Sequence, residues 1–290
     1  MHARVEFLSS QRAWRCQARP PVLEGADSSR PARYPFMTRP APLFETALAR
    51  TPEDLRAALA LRYHVFVLEM GAGGAGVDHA AGLEQDAFDT HALHLLLRDR
   101  TRPEDDQVIG VYRLMDDGAA RAAGQFYSEG EYDLAPLRAR GRRLLEMGRS
   151  CVHPDYRDGQ ALFHLWQGLA AHVRDSGAEI LFGVASFHGT EPGALAQPLS
   201  LLHHRHLAPE PLRVRSRLFQ PMDMLPEDRM DRLAALRQMP PLIKAYLRLG
   251  GRVGAGAYVD HAFNTTDVCL VVDTARMSAR GRALYAGAGA

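Results

Sequence analysis

The sequence predicts an α/β protein built on a mixed, mostly antiparallel sheet flanked by helices. Two observations carry that expectation. Apolar runs of strand length and helical patterns follow one another in the order β-β-β-α-β-α-β, preceded by one well-punctuated helix. The first two strands are separated by a short polar connection that suits antiparallel neighbours, and one later connection is a helix that suits a parallel crossover.

The elements read in order as follows. Residues 1–41 hold seven Arg and show no helical or strand period, so they are expected to be a disordered N-terminal extension. They lack the apolar core of a secretory signal, and Met37 is a second candidate start. "TPEDLRAALALRYHVFVLEMG" (51–71) is a helix. Thr51 suits the N-cap, Pro52 the first turn, Glu53 and Asp54 the positive dipole end, and Gly71 the stop. Leu55, Leu59, Arg62, Phe66 and Glu69 share one face by 3–4 spacing. A Gly- and Ala-rich loop follows at 71–82. Strands are expected at "LHLLLR" (93–98), "QVIGVYRLM" (107–115) and "RLLEMGRSCV" (143–152). "LFHLWQGLAAHV" (162–173) is helical and stops at Gly177; "EILFGVASF" (179–187) is a strand. An insertion at about 188–240, rich in His, Arg and Pro, interrupts the order. "PLIKAYLRLGG" (241–251) is a helix, "DVCLVVD" (267–273) the last strand, and 278–290 a flexible Ala- and Gly-rich tail. The ordered domain should therefore span 42–277.

Composition excludes several functions. No apolar run approaches the ~20 residues that cross a bilayer. A net charge of +1 gives no global field for nucleic acid. Cys16, Cys151 and Cys269 are odd in number and form no spaced framework, which fits a reducing compartment.

Inside the third strand, Glu146 and Arg149 break the apolar run. They have opposite parity on a regular strand, and a bulge at Gly148 would bring both to one side. An ion pair at a sheet end explains them, and so does acid-base chemistry in which a nearby cation keeps the carboxylate ionised.

Read together, "LRYHVF" (61–66), "EQDAFD" (84–89), "GVYRLM" (110–115) and "EMGR" (146–149) resemble the blocks that mark acyl-homoserine-lactone autoinducer synthases. The further blocks "FYSEGEYDL", "GRSCVHPDYRDG", "LFGVASFHGT", "PLSLLHHRHLAP", "PPLIKAYLRLG" and "DHAFNTTDV" are similar to those of the ornithine-acyl-carrier-protein N-acyltransferases. The resemblance runs over roughly 44–273. It implies a GNAT-like fold whose central strand pair splays apart, with a thioester in the gap. It also implies transfer of a (3-hydroxy)acyl chain from acyl carrier protein to the α-amine of L-ornithine, giving lyso-ornithine lipid, the first step of ornithine lipid biosynthesis. No cofactor is implied beyond the carrier-protein thioester as co-substrate. The setting is cytoplasmic, with the inner membrane face as a candidate contact and no nucleic acid. The rival readings are an autoinducer synthase and a non-catalytic acyl-carrier or membrane-binding protein on the same fold.

The resemblance also distributes roles. Glu146 becomes the base for the acceptor amine, with Arg149 beside it. The backbone N–H groups of Cys151 and Val152 become candidates to polarise the thioester carbonyl, while the Cys151 side chain reads as a small core residue. Tyr246, four before Gly250, takes the place of the tyrosine that protonates the leaving thiolate; a core tyrosine is the competing reading. Arg62, Asp86, Asp89 and Arg113 map onto an autoinducer-synthase set that positions the acceptor, or that pins helix to loop. In "HPDYRDGQA" the glycines of a pyrophosphate cradle are missing, with Gly159 one residue early. That argues against CoA and leaves Arg157 to meet the single phosphodiester of a pantetheine arm.

Two arginine runs, "RARGRR" (Arg138, Arg140, Arg142, Arg143) and "RVRSR" (Arg213, Arg215, Arg217), are candidates to dock an acidic carrier protein or are solvated surface. "HHRH" (203–206) lacks ligand spacing, so no metal is expected. Phe219 and Met222 in the insertion suit lipid contact, an acyl tunnel or plain packing.

Overall fold

The first helix begins where its punctuation places it. In the computed structural model, which describes residues 40–279 together with Gly281 and Ala283, Thr51 caps helix α1 (Pro52–Arg62). Its hydroxyl accepts the Asp54 N–H, and the Asp54 carboxylate accepts back from the Thr51 N–H. Past Arg62 the helix winds wider over Tyr63–Glu69, and the Met70 N–H reaches back five residues to the Val65 carbonyl. The expected N-terminal extension, apart from its last two residues, and most of the expected tail lie outside the described residues.

One sheet organises the rest. It contains β1 (Phe44–Leu48), β2 (Leu93–Asp99), β3 (Val108–Asp116), β4 (Leu144–Val152), β5 (Ile180–His188), β6 (Arg252–Val253), β7 (Tyr258–Asp260) and β8 (Thr265–Asp273). The order is β1-β2-β3-β4-β5-β8-β6, with β7 also on β8. All pairs are antiparallel except β4 with β5, which α2 (Gln160–Ser176) joins as the single crossover. The expected mixed, mostly antiparallel sheet is therefore present.

Helices cover both faces. On one side, Leu165, Trp166 and Leu169 of α2 pack with Leu97, Leu114 and Met147 of the strands. On the other, Ala58 and Leu61 of α1 pack on Leu96, Val111 and Cys151, while Phe126, Tyr132 and Leu137 cover Leu144, Phe182 and Val271. Both faces of β4 and β8 are thus buried, which is why their sequences read as continuous apolar runs.

The segment 188–240 is more regular than its composition suggests. It holds α3 (Ala196–His206) and α4 (Arg232–Gln238), and it leads into α5 (Pro241–Arg248). Pro198 is tolerated because it stands in the first turn of α3, where no intrahelical partner exists for its missing N–H. His203, His204, Arg205 and His206 fall in the last turn, where the Arg205 cation suits the negative dipole end. Leu199, Leu202, Met222 and Met239 join the main core, so most of the insertion packs as structure. Leu218 and Phe219 stay exposed. Among the described residues no helix is long and apolar enough to cross a membrane.

The feature that positions the site is a fork. β4 and β5 each run nine residues, yet they pair only over Leu144–Glu146 with Ile180–Phe182. Beyond that point they part, as the resemblance implied. Gly183 stands at the fork, where an added Cβ would lie 2.1 Å from the Met147 carbonyl oxygen. Gly183→Ala should therefore force the strands apart and cost about 1–3 kcal/mol, read as a lower urea midpoint at unchanged m-value.

Candidate active site

The fork opens into a cavity of about 470 Å³. Glu146, Met147, Arg149, Cys151 and Val152 from β4 form one wall, and Gly183, Val184, Ala185 and Ser186 from β5 form the other. Phe66, Glu69 and Met70 from the widened end of the first helix close one side. Leu242 and Tyr246 of α5 close another. The lining is mostly apolar, with a few charged groups set into it.

Glu146 lies at the foot of the fork and is almost fully buried. One carboxylate oxygen accepts the Ser128 N–H at 2.6 Å and the other the Tyr127 N–H at 2.8 Å. Burial nonetheless raises its pKa, since the N–H contacts and the more distant Arg113 only partly offset desolvation. A carboxylate oxygen pair has about four lone-pair sites, so these two bonds leave acceptor capacity for a proton from the cleft.

The expected bulge is present one residue beyond Gly148. Val111 faces Cys151 and Arg113 faces Gly148, so Arg149 and Ser150 together oppose Tyr112. Arg149 adopts φ = 49°, in the left-handed region, at a cost of about 1–3 kcal/mol for a residue with a side chain. The cation does not pair with Glu146, as parity-based reasoning anticipated. It reaches Asp86 at 2.9 Å and Glu84 at 3.3 Å, between the rings of Tyr127 and Phe263. Those carboxylates draw it because three arginines and three acids gather there. Arg62 bonds Glu84 at 2.5 Å and Asp89 at 2.6 Å, and Arg113 bonds Asp86 at 2.5 Å and Asp89 at 3.0 Å.

Arg62, Asp86, Asp89 and Arg113 therefore do meet in one network, but none of the four lines the cleft. They lie behind its wall because Arg62, Asp89 and Arg113 need each other's charge once removed from water. Burial pushes Asp89 upward, yet Arg62 and Arg113 carry it well below the usual carboxylate range. The network ties α1, the 84–89 loop, β3 and the bulge of β4 together.

On the donor side, the register settles which amides face the gap. The His153 N–H bonds the Ile109 carbonyl at 2.8 Å, so by alternation the Cys151 N–H also turns toward β3 and only that of Val152 faces the gap. Burial raises the Cys151 thiol to about 12, which suits a core residue. Arg157 lines the cleft, but Glu69 holds it through two bonds of 2.5 and 2.8 Å. Gly159 is the N-cap of α2 at φ = 101°, and the Asp158 carboxylate already accepts the Gln160 N–H. The Tyr246 hydroxyl lies 3.1 Å from that of Tyr112 and 3.6 Å from the Met147 sulfur, at the cleft wall.

The two arginine runs converge. Tyr132–Asp133 pairs with Arg215–Ser216, and Arg140 bonds the Pro211 carbonyl. Several of their charges already have partners: Arg138 pairs with Glu129, Arg142 with Asp273, and Arg215 covers the Phe219 ring. Arg217 donates to the Glu129 carbonyl and Arg213 to that of Ala208, while Arg143 remains largely exposed.

The acetyltransferase (GNAT) domain family matches residues 61–167. The L-ornithine N(alpha)-acyltransferase of Rhodobacter capsulatus is 56% identical over 248 residues, covering 84% of this chain and 96% of that one. This chain belongs to the L-ornithine N(alpha)-acyltransferase family. The Brucella abortus relative of the same name is 42% identical over 247 residues, covering 83% of this chain and 88% of its own. The structure of FeeM, an N-acyl amino acid synthase from uncultured soil microbes, overlays with a TM-score of 0.48 at 11% identity, covering 83% of this chain and 98% of that one.

Sequence reasoning missed Tyr127 and Ser128, whose backbone groups hold Glu146; a backbone contact leaves no signature in residue type. It also missed Glu131, Asp260 and Asp267, whose carboxylate oxygens gather within 4.8 Å of one another. They stand in blocks quoted above, but far apart in the chain. For the ion network the expectation is concrete. Arg62→Met leaves three buried acids to share Arg113 and Arg149 and should cost about 3–5 kcal/mol in chemical denaturation, although Arg62 lines no part of the cleft.

Proposed function

We propose that the cleft moves an acyl chain, 3-hydroxylated in the expected substrate, from an acyl-carrier-protein thioester to the α-amine of L-ornithine, giving lyso-ornithine lipid. The relatives' shared activity, L-ornithine N(alpha)-acyltransferase, supports the acceptor. The observation that carries the chemistry is Glu146, a buried carboxyl with a raised proton affinity at the foot of an apolar cleft. In this reading Glu146 takes a proton from the ornithine ammonium, and the freed amine attacks the thioester carbonyl. The C–N bond forms, the C–S bond breaks, the thiolate takes the Tyr246 phenolic proton, and the second proton that the nitrogen sheds as the amide forms returns to the Tyr246 oxygen through solvent. The Val152 N–H polarises the carbonyl. Arg149, set in the wall beside Glu146, offers its guanidinium to the acceptor's carboxylate, and Arg62, Arg113, Asp86 and Asp89 hold it there.

The donor reading rests on the loop before α2. Arg157 is clamped by Glu69 and one helix-start amide is taken by Asp158, which leaves little for a pyrophosphate and enough for a single phosphodiester. The converged arginine runs offer an acidic carrier one docking face, with Arg143 a largely exposed cation on it.

Two measurements test this. Glu146→Gln keeps the shape and removes the proton acceptor, so turnover should fall ~10²–10⁴-fold. Because burial raises the Glu146 pKa and the base works deprotonated, wild-type kcat/KM should rise with pH through a value above the ordinary glutamate range. That limb should vanish in the variant. Wild-type turnover by Glu146→Gln would remove this carboxylate from the mechanism. The carrier-protein thioester should also exceed the matching acyl-CoA in kcat/KM by on the order of 10-fold or more, the worth of a charge-assisted contact. Equal values would refute the donor assignment.

A further inference from the structure

Glu131, Asp260 and Asp267 come from three segments and bring their carboxylate oxygens within 4.8 Å of one another. Asp260 and Asp267 line the same cleft as Glu146. Among the described residues none of the three makes an ion pair, whereas the acids behind the wall are matched by arginines. Thr265 faces Asp260 across β7 and β8, lies two residues from Asp267 on the same strand face, and also lines the cleft. Its hydroxyl is buried without a hydrogen-bond partner, and so are one oxygen of Glu131 and one of Asp267. Three acids that make no direct ion pair and feel only the more distant Arg149, beside a buried hydroxyl without a hydrogen-bond partner, describe a site whose partner arrives from the cleft.

We infer that this triad seats the side-chain ammonium of the acceptor, so that Glu131, Asp260 and Asp267 distinguish a diamino acid from its neutral analogues. The inference rests on ornithine as the acceptor. An ammonium presents three N–H donors, and three carboxylate oxygens bonded to it at ~2.8 Å would stand roughly 4.5 Å apart, in keeping with the observed spacing. The charge fits as well. Burial, then the repulsion of Asp267 and Asp260, raises Glu131, and burial raises Asp267. The triad therefore carries less than its formal charge, which suits one monovalent cation better than a divalent metal. Glu146, Asp260 and Asp267 line one cleft, so a diamino acid bound there meets both acid sites.

The test compares L-ornithine with L-norvaline, which has the same carbon chain without the δ-amine, in Glu131→Gln, Asp260→Asn and Asp267→Asn. Wild type should prefer ornithine, and each variant should reduce the kcat/KM ratio of ornithine to norvaline roughly 10- to 100-fold, mainly through KM. Asp260 is only half-buried and is the variant least exposed to folding loss. Calorimetry on the wild-type protein gives a second measurement, in which ornithine should bind and norvaline should bind far more weakly. An unchanged preference in folded variants, or equal binding of the two amino acids, overturns the inference while leaving the acyltransfer reading intact. Activity lost to EDTA and restored by magnesium or calcium alone overturns it too, by making the triad a metal site. Failure of wild type to acylate ornithine at all would instead sink the underlying functional reading.

Discussion

A parallel pairing that stops after three residues governs the rest of this molecule. Two strands that ran together to their ends would leave no gap, and the sheet would be a continuous wall. Here β4 leaves β5 after Glu146, and two mutually supporting devices hold it away. The extra residue at Arg149–Ser150 turns the strand, and the ion network on its outer side anchors the turned guanidinium. Neither device suffices alone. A bulge without anchors is a local kink, and buried arginines without a strand to hold would cost desolvation for no gain. Such networks are weak contributors to stability, and this one makes better sense as a positional constraint on the cleft wall.

The two faces of β4 therefore divide the labour. Outward lie Arg62 and Arg113 with Glu84, Asp86 and Asp89, and Arg149, which also lines the gap, completes their charge balance from the cleft side. Toward the gap lie groups left uncancelled, with Glu146 held by backbone donors and the Glu131, Asp260 and Asp267 set beyond it. A cavity walled by hydrocarbon makes each uncancelled charge count for more than it would in water. Tyr127 links the two sides, giving its N–H to Glu146 and its ring to Arg149.

How much of this was legible beforehand follows from what kind of force fixes each part. Strands buried on both faces announce themselves as apolar runs, so 93–98, 107–115, 143–152, 179–187 and 267–273 were each found within two residues. Helix α1 was found because Thr51, Pro52 and Gly71 punctuate it. Helix α3 was not, since Pro198 and a run of histidines mimic a loop until the proline is placed in a first turn. β1 was missed because an edge strand of five residues carries little pattern. Glu146 and Arg149 stood out as charges where none belonged, and the bulge was anticipated to within a residue. Their partners were another matter. Parity set the two charges on opposite faces and a bulge could bring them together, but neither could reveal that Asp86 and Glu84 hold the guanidinium. The Glu131, Asp260 and Asp267 set is invisible in one dimension, because the contact that defines it exists only after β7 and β8 have paired.

Arg149 holds a backbone conformation that glycine would adopt freely, and it does so while supplying a guanidinium that glycine cannot. Relief of the strain and loss of the charge are thus bound to a single codon. A search for stabilising substitutions would favour glycine at this position on backbone grounds, and it would remove the cation that binds the cleft wall to Glu84 and Asp86. Residue 149 is a place where backbone relief and the charge balance of the interior pull against each other.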